Sequence, residues 1–416
     1  MEEWKEYRYT DLATIIGGGT PKTFVPEYWS GEIPWLSVKD FVSVTKYVYD
    51  TEKHISELGL LNSSTKLLEK NDIVISARGT VGAMAMIPYP MCFNQSCFGL
   101  RGNNIVDKNF LYYLTRTKVD ELRKTAHGSV FDTITRETFD NLRCLVPPLQ
   151  TQQKIGNILS SLDSKIELNK RINDNLEQQA QALFKSWFVD FEPFLREEFF
   201  KSDSLFGDIP VEWHIVAIKD LSVYITDYVA NGSFASLREN VRLYDKPNYA
   251  HFIRNTDLKA ESYKMYVDKH SYEFLSKSVL EGGEIIISNV GDVGSVFLCP
   301  KLEKPMTLGN NIILLRPKKD YLTFYLYMLF KGGIGQHLID GVTGGSAQRK
   351  FNKTDFKSIK LMMPPVNILI KFDRIVKPIF SKIEENRDEI SRLTSLRDTL
   401  LPKLMSGELK INDINN

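Results

Sequence analysis

The sequence predicts an α+β protein, a tandem duplication of a mixed α/β domain followed by a long helix. Two observations lead to this prediction. Segments of the first half recur in the second half in the same order, about 210 residues later. In each half, a stretch rich in β-branched and aromatic residues, Gly and Pro ends at a Pro-Pro pair, and a long helical pattern follows the pair.

The composition is that of an ordinary globular protein. The chain has 416 residues, of which 43% are hydrophobic and 25% are charged, enough for about two to four domains. Lys and Arg number 53 against 52 Asp and Glu, so nucleic-acid binding would have to come from local patches. The 4 cysteines are too few for a disulfide scaffold, and the acidic, polar first residues do not resemble a signal peptide. We expect a soluble, cytoplasmic protein with no membrane segment.

The duplication rests on short matched segments. Their offset is 217 residues near the Pro-Pro pairs and falls to 212 and 209 further upstream, as small loop insertions would cause. One chance match is plausible, but a colinear set across both halves is not. The matched segments are 147–148 with 364–365, 164–167 with 381–384, 128–129 with 345–346, 73–76 with 285–288, and Trp4 with Trp213.

The repeat divides the chain into successive parts. Helical patterns inside the globular parts are scarce, apart from 110–117 and 322–330, where apolar residues cluster at helical spacing. The predicted parts are a first globular domain over 1–146, a helix over 147–190, a linker over 191–206, a second globular domain over 207–363, a helix over 364–405 and a C-terminal tail over 406–416.

Each long helical pattern carries an apolar stripe suited to pairing with another helix. Residues 151–188 would form a rod roughly 55 Å long, too long to be buried in one domain, so we expect it to join the globular parts. Asn169 and Asn386 occupy matching stripe positions. Either both residues lie at the edge of the apolar stripe, or they meet near a pseudo-two-fold axis and fix the register of the two helices. The predicted pairing residues are Ile166, Asn169, Leu176, Leu183, Ile383, Asn386, Leu393 and Leu400.

The sequence contains no recognisable catalytic or metal-binding constellation. Segment 17–23 departs from the phosphate-binding pattern, because Pro21 removes a backbone N–H and no Gly directly precedes Lys22. The 6 His are scattered, and Cys92 and Cys97 lack a second pair of metal ligands. No G-x-S-x-G segment occurs. We therefore expect no catalytic residue and no metal in this chain.

Polar loop residues suit DNA binding instead. A basic cluster at Arg349, Lys350, Lys353, Lys357 and Lys360 could clamp phosphates, although a solvated helix face would explain it equally well. Arg pairs with guanine, and Asn or Gln with adenine, by geometry. The candidate DNA-binding residues are Arg78, Thr80, Asn94, Gln95, Asn289, Asn310, Asn311, Gln348, Arg349, Lys350 and Lys353.

Several segments, in this order along the duplication, resemble the specificity subunits of type I restriction–modification enzymes. No single segment is diagnostic, but their order is. The resemblance covers nearly the whole chain. The segments are IPWL at 33–36, VPPL at 146–149, LFKSWFVDFEPF at 183–194, GDIP at 207–210 and LLPKLMSGEL at 400–409.

The resemblance implies two target-recognition domains, each of which recognises one half of a bipartite site on double-stranded DNA. The two helices would pair as an antiparallel coiled coil, set the spacer and dock two methyltransferase subunits, to which restriction/translocase subunits attach. Adenine-N6 methylation and cleavage, with S-adenosylmethionine, ATP and Mg, would then belong to partner chains, so this chain would not itself be an enzyme. The equivalent of Pro34-Trp35 in the second half is weak, near His251-Phe252.

Two other functions remain open from the sequence. One is a scaffold whose duplicated domains bind proteins and not DNA. The other is an autonomous DNA methyltransferase or nuclease, against which the missing cofactor and metal motifs count.

Overall fold

In the computed structural model, each of two compact units contains an antiparallel four-stranded sheet, and the strand orders of the two sheets are equivalent. The structure describes residues 4–42, 45–126, 133–202, 205–345 and 348–410. The repeat match of 128–129 with 345–346 therefore lies mostly outside the described residues. The chain divides into unit one, Met1–Arg171 with Asn386–Asn416, and unit two, Ile172–Glu385.

The described residues of unit one form nine strands. Its central sheet has the order β2-β8-β5-β6, a second sheet has the order β4-β3-β7 with β3 and β7 parallel, and β1 pairs with β9. The strands are β1 Lys5–Arg8, β2 Ala13–Gly17, β3 Ile33–Leu36, β4 His54–Ile55, β5 Ile73–Ser76, β6 Met84–Met86, β7 Cys92–Phe93, β8 Cys97–Gly102 and β9 Arg143–Val146, and the helices that begin in this unit are α1 Tyr9–Leu12, α2 Glu57–Leu61, α3 Lys108–Ala126, α4 Arg136–Asn141 and α5 Leu149–Phe188.

Unit two repeats this plan with additions. Its central sheet has the order β13-β21-β18-β19, its second sheet has the order β14-β16-β15-β20-β17, and β12 pairs with β22. The strands are β10 Phe199–Lys201, β11 Asp208–Pro210, β12 His214–Ala217, β13 Val223–Asp227, β14 Leu243–Tyr244, β15 Ala250–Ile253, β16 Tyr266–Val267, β17 Val279–Leu280, β18 Ile285–Ser288, β19 Val296–Leu298, β20 Met306–Leu308, β21 Ile312–Pro317 and β22 Lys360–Met363, and the helices are α6 Phe234–Asn240, α7 Asn255–Ala260, α8 Lys269–Phe274, α9 Thr323–Lys331, α10 Gly333–Gly341, α11 Lys353–Ser358 and α12 Val366–Ser406.

The central strands β5 and β18 are apolar apart from a final serine, because both of their faces are covered. All four residues of β5 are buried, and so are all four of β18. Since side chains alternate between the faces of a strand, Ile73 and Ile75 join one hydrophobic cluster and Val74 joins another. In β18, Ile285 and Ile287 likewise belong to one hydrophobic cluster and Ile286 belongs to another. The matched segments 73–76 and 285–288 are therefore the central strands of the two units.

The equivalence near His251-Phe252 is explained by strand pairing. β3 runs parallel to β7, and β15 runs parallel to β20. The carbonyl of Leu36 accepts a hydrogen bond from Asn94 N at 2.9 Å, and that of Ile253 accepts one from Gly309 N at 2.7 Å. The strand is thus the same in both units, although its sequence differs.

The long helices α5 and α12 pack together in an antiparallel sense. In unit one, Asp163 of α5 pairs with Arg397, and Asn169, further along α5, hydrogen-bonds Glu389. In unit two, the aromatic ring of Phe188 packs against Phe372, near the beginning of α12, with ring centroids 4.7 Å apart. Later residues of α5 therefore meet earlier residues of α12. The predicted α+β fold class, a duplicated domain with two pairing helices, is confirmed.

The described part of the chain has no helix long and apolar enough to cross a membrane. All 4 cysteines (Cys92, Cys97, Cys144 and Cys299) are buried, and none forms a disulfide. The helical patterns at 110–117 and 322–330 correspond to α3 and α9.

Candidate nucleic-acid interface

One end of each central sheet gathers most of the predicted DNA-binding residues. In unit one this is the end at which β2 and β5 finish and β8 and β6 begin, since Gly17 pairs with Phe98, and Ser76 with Cys97. In unit two, Asp227 pairs with Ile313 in the same way. We call this edge of each central sheet the loop end of its unit.

Arg78 and Thr80 lie exposed in the turn that joins β5 to β6. The turn is closed by Gly82 N, which donates to the carbonyl of Ser76 at 2.9 Å, and by Ala83 N, which donates to the Ser76 hydroxyl at 3.0 Å. Gly82 has a φ of 81°, a left-handed conformation that favours glycine. A rigid turn thus projects both side chains from the loop end.

Asn94 and Gln95 lie in the loop between β7 and β8, at the same loop end. The Asn94 side-chain oxygen accepts a hydrogen bond from Ser96 N at 3.1 Å, and the Gln95 side chain accepts one from the Thr20 hydroxyl. Gln95 is exposed and Asn94 is half-buried. Local hydrogen bonds therefore orient both amide side chains before any ligand binds.

A third segment completes the loop end, and the hydrogen bonds that hold it are the same in both units. In unit one, Ala77 N donates to Ser96 O at 2.8 Å, and Ile134 N donates to Ala77 O at 3.1 Å. In unit two, Asn289 N donates to Asn311 O at 3.1 Å, and Phe351 N donates to Asn289 O at 3.1 Å. The segment that follows α3 in unit one and the segment that follows α10 in unit two thus lie beside the turn after the central strand.

Three predicted residues of unit two take different positions at its loop end. Asn310 and Asn311 are exposed between β20 and β21, and Asn311 has a left-handed φ of 64°. Asn289 is half-buried, and its side-chain nitrogen donates to the Phe351 carbonyl at 3.3 Å. Asn289 is therefore placed to support the loop, whereas the other two present polar groups outward.

The basic cluster is only partly assembled at the loop end. Gly291 N donates to the carbonyl of Arg349 at 3.0 Å, and Lys350 forms a backbone bridge with Val290, so 348–350 lies beside the β18–β19 turn. Gln348, Arg349 and Lys350 are exposed. Two cations already have acidic partners: Arg349 pairs with Asp340, and Lys353 pairs with Asp227 at 2.9 Å.

The rest of that cluster is separate. Lys357 lies in α11 and is half-buried, while Lys360 begins β22 and pairs with Ala217 of β12. The cluster in the sequence is thus divided among a loop, a helix and a strand. Only its first part adjoins the other candidate residues.

One exposed cation of unit one is absent from the sequence-based candidates. Arg136 begins α4, and a side chain at Gly17 would place its Cβ 3.8 Å from the Arg136 guanidinium. Arg136 precedes Lys353 by 217 residues, the repeat offset of this region. A lone Arg between polar residues carries no sequence signal, whereas the cluster at 349–353 does. Aligning the basic cluster of the second repeat with the first repeat would have identified Arg136 as a candidate.

The helix-pairing residues divide between the units. In unit one, Ile166, Asn169 and Asn386 are buried, and the Asn169 side chain donates to Glu389 at 2.7 Å. Leu393 and Leu400 are half-buried in the same unit. In unit two the set comprises buried Ile383 and half-buried Leu176 and Leu183. A role of these residues in docking stays a prediction.

A buried polar network lies where the domain of unit one meets its helices. The carboxylate of Asp163 accepts from Tyr113 at 2.6 Å and pairs with Arg397 at 2.6 Å. Beside it, the Lys46 ammonium donates to Asn109 at 2.7 Å and to Ser160 at 2.8 Å. Burial lowers the pKa of Lys46 from 10.5 to about 8, partly opposed by the charge of Asp163. Sequence reasoning missed this network because its members are far apart along the chain.

The fold is thus duplicated, with polar loops at one sheet end of each unit, and such loops suit hydrogen bonding to the bases of a nucleic acid. The model of the type I restriction modification DNA specificity domain matches residues 1–178 and 210–394. The chain therefore belongs to that family, and its function is DNA sequence specificity. The family resemblance seen in the sequence is confirmed.

Full-length relatives agree with this assignment. The chain is 28% identical to the MjaIX specificity subunit of Methanocaldococcus jannaschii, over 99% of this chain and 95% of the relative. It is 25% identical to the HindI specificity subunit of Haemophilus influenzae, over 98% of this chain and 100% of the relative. The fold is similar to a crystal structure of a type I restriction–modification S subunit from M. genitalium, with a TM-score of 0.56, 17% identity and coverage of 97% of this chain and 96% of that one.

Proposed function

We propose that each unit recognises one half of a bipartite DNA site through its loop end. The repeated loop end carries this proposal: the two units hold equivalent loops with equivalent backbone hydrogen bonds but different side chains. Arg78 and Thr80 of unit one correspond, at the offset of 212, to Val290 and Asp292 of unit two. Different side chains on one scaffold favour two half-sites of different sequence.

The chemistry of the exposed side chains suits base recognition. Arg78 can donate two hydrogen bonds to the major-groove edge of guanine, and Gln95 or Asn310 can pair with adenine. Lys350 and Arg136 suit phosphate contacts, which supply affinity and not sequence preference. Nearly balanced total charge predicts weak DNA binding by the isolated chain.

The paired helices would set the spacer between half-sites and dock two methyltransferase subunits. Exposed apolar side chains on both helices support a protein partner there: Leu168 on α5 and Leu396 on α12 are 51% and 47% exposed. Restriction/translocase subunits would join this assembly. S-adenosylmethionine, ATP and Mg would be bound by the partner subunits, in the cytoplasm, and this chain would contribute no catalytic group.

Methylome sequencing of cells that express the chain with its methyltransferase partners tests the proposal. We expect one bipartite adenine-methylated motif with a fixed spacer. Replacing residues 1–146 with the corresponding domain of another family member should change one half of the motif and leave the other half unchanged.

Two results would contradict the proposal. Methylation without a bipartite motif would remove the DNA-recognition role and favour a protein scaffold. A domain replacement that changed both half-sites would show that the units do not act separately.

A further inference from the structure

Two phenylalanines project into solvent at matching places in the two units. Phe24 is 78% exposed and Phe234 is 79% exposed, the highest values among the large hydrophobic residues of the described chain, shared only by Leu61 at 78%. Phe24 lies seven residues after Gly17, the last residue of β2, and Phe234 lies seven residues after Asp227, the last residue of β13. Both strands end at the loop end of their unit.

The surrounding sequences make this coincidence informative. The eight-residue segments are GGGTPKTF over 17–24 and DYVANGSF over 227–234, and the final Phe is the only residue they share. Single exposed apolar residues are common on protein surfaces and need no special role. Two loops that differ at every other position but keep an exposed aromatic ring point to a shared task.

The backbone of each loop holds its ring outward. In unit one, the carbonyl of Lys22 accepts from Val25 N at 3.3 Å and from the Trp29 indole at 3.2 Å, which closes a turn around Phe24. In unit two, the Ser233 hydroxyl caps the helix that begins at Phe234, accepting from Ser236 N at 3.3 Å. The backbone conformation of each loop therefore keeps its Phe side chain exposed.

The neighbours of Phe24 favour DNA as the ligand. Thr20, in the same loop, hydrogen-bonds Gln95, and a side chain at Gly18 would clash with the Asn94 carbonyl at 2.0 Å, so the loop lies directly on a candidate base-recognition loop. The Lys22 ammonium lies 5.9 Å from the centre of the Phe24 ring. In such a pair, the Lys22 ammonium can contact a DNA phosphate while the Phe24 ring contacts the adjoining base. In unit two, Asp227 at the start of the loop pairs with the candidate Lys353.

We propose that Phe24 and Phe234 wedge into DNA, each ring partly unstacking a base step in its own half-site. This inference rests on the proposed function and adds a specificity determinant to it. Apolar wedges of this kind act at base steps that unstack easily, and pyrimidine–purine steps are the most deformable. Each Phe thus selects sequence through the deformability of one step and not through hydrogen bonds.

The test uses the full chain assembled with its methyltransferase subunits and a 30-base-pair duplex that carries the motif found by methylome sequencing. 2-Aminopurine is placed at successive positions of each half-site, and its fluorescence reports unstacking. We expect binding to raise fluorescence at one step per half-site. Phe24→Ala should abolish the increase in one half-site and Phe234→Ala in the other, with about 5- to 100-fold weaker binding.

Matched controls separate this effect from general surface changes. Leu145 of unit one and Leu243 of unit two are each 51% exposed and lie outside the central sheets, so Leu145→Ala and Leu243→Ala should leave fluorescence and affinity unchanged. Phe24→Trp and Phe234→Trp keep a flat ring and should retain the fluorescence increase.

Three results would overturn the inference, and a fourth would overturn the proposed function on which it rests. In one, both alanine variants bind and unstack DNA as the unaltered complex does. In the second, either variant loses methyltransferase assembly in size-exclusion chromatography, which would assign the ring to a protein contact. In the third, either variant melts several degrees lower, which would make the ring a packing residue. In the fourth, the unaltered complex does not prefer the motif duplex to a scrambled one, which would instead reject the proposed function itself.

Discussion

The two units carry out the same packing task with opposite chemistry. In unit one, Asp163 of α5 and Arg397 of α12 form a buried ion pair, with both side chains 6% exposed. At the repeat offset of 217 residues, the corresponding residues of unit two are Phe380 of α12 and Ala180 of α5, which are both buried in an apolar cluster.

The difference extends into the neighbouring helix. Asn109 of α3 accepts from Lys46 in unit one, whereas α9, the matching helix of unit two, carries Phe324. Phe324 stacks on Phe380 with ring centroids 4.5 Å apart. A polar, hydrogen-bonded junction in one unit is thus an aromatic stack in the other. The duplicated backbone tolerates either, provided that each buried polar group has a partner.

The largest expected effect is the loss of the Arg397 guanidinium. Arg397→Ala would leave the Asp163 carboxylate buried with only Tyr113 donating to it. Removing one partner of a buried ion pair costs about 3–5 kcal/mol. The lower part of that range is expected here, because the nearby Lys46 ammonium still compensates part of the Asp163 charge. Calorimetry of the full chain should show a lower transition for unit one.

A double variant tests whether the charge itself is responsible. Asp163→Leu with Arg397→Met removes the buried charge and should recover part of the lost stability, although the Tyr113 hydroxyl loses its acceptor. If the double variant is as unstable as Arg397→Ala, the comparison between ion pair and aromatic stack is wrong.

In unit two, Phe380→Ala should cost about 3 kcal/mol, because it removes a buried ring and leaves a cavity against Phe324 and Tyr327. Phe380→Leu, which keeps most of the apolar volume, should cost much less. Calorimetry should show that the transition of unit two moves. A loss of less than 1 kcal/mol for the alanine variant would show that the stack contributes little.

Leu393 of unit one and Leu176 of unit two are equivalent, half-buried helix residues that sharpen the comparison. Leu393→Asp and Leu176→Asp should each cost about 2 kcal/mol, because a charge is poorly solvated in the apolar seam. Each should lower the transition of its own unit and weaken assembly with methyltransferase subunits in size-exclusion chromatography. The Leu→Asn variants control for size and should have smaller effects. Normal assembly of the double Asp variant would argue against docking on this seam.

The smallest expected effect is a pH dependence confined to unit one. Because the pKa of Lys46 is about 8 in the folded chain and 10.5 ordinarily, the unfolded chain binds the proton more tightly. Folding stability should therefore rise between about pH 8 and pH 10.5 and be independent of this group below pH 8. Urea titrations of the unaltered chain and of Lys46→Met isolate the effect of this group. Equal pH slopes for the two proteins would contradict the shift.

The architecture was predictable because its signals are local or repeated. The Pro-Pro pairs precede α5 and α12, whose apolar stripes extend over 40 and 41 residues. The apolar segments 73–76 and 285–288 are the two central strands. Hydrophobic periodicity and internal repetition can both be detected in a single sequence, because the first depends on neighbouring residues and the second on identical spacing.

The candidate site was predictable only in part. The polar loop residues were identified from residue type alone, and the structure places two of them, Arg78 and Gln95, at one sheet end. Asn289 was also a candidate, yet its amide supports the Phe351 segment. Arg136 was missed because a single Arg at a helix start is indistinguishable from an ordinary surface residue.

The sequence by itself determined that this protein is a duplication and where its long helices begin. Only the tertiary structure decided which residues meet. Lys46 contacts Ser160, Asp163 pairs with Arg397, and Gly291 hydrogen-bonds Arg349, and such partners are separated by tens to hundreds of residues. Hydrophobic periodicity records which face of an element is buried, but it does not record what that face is buried against. Two copies of one backbone could therefore acquire an ion pair and an aromatic stack at the same position.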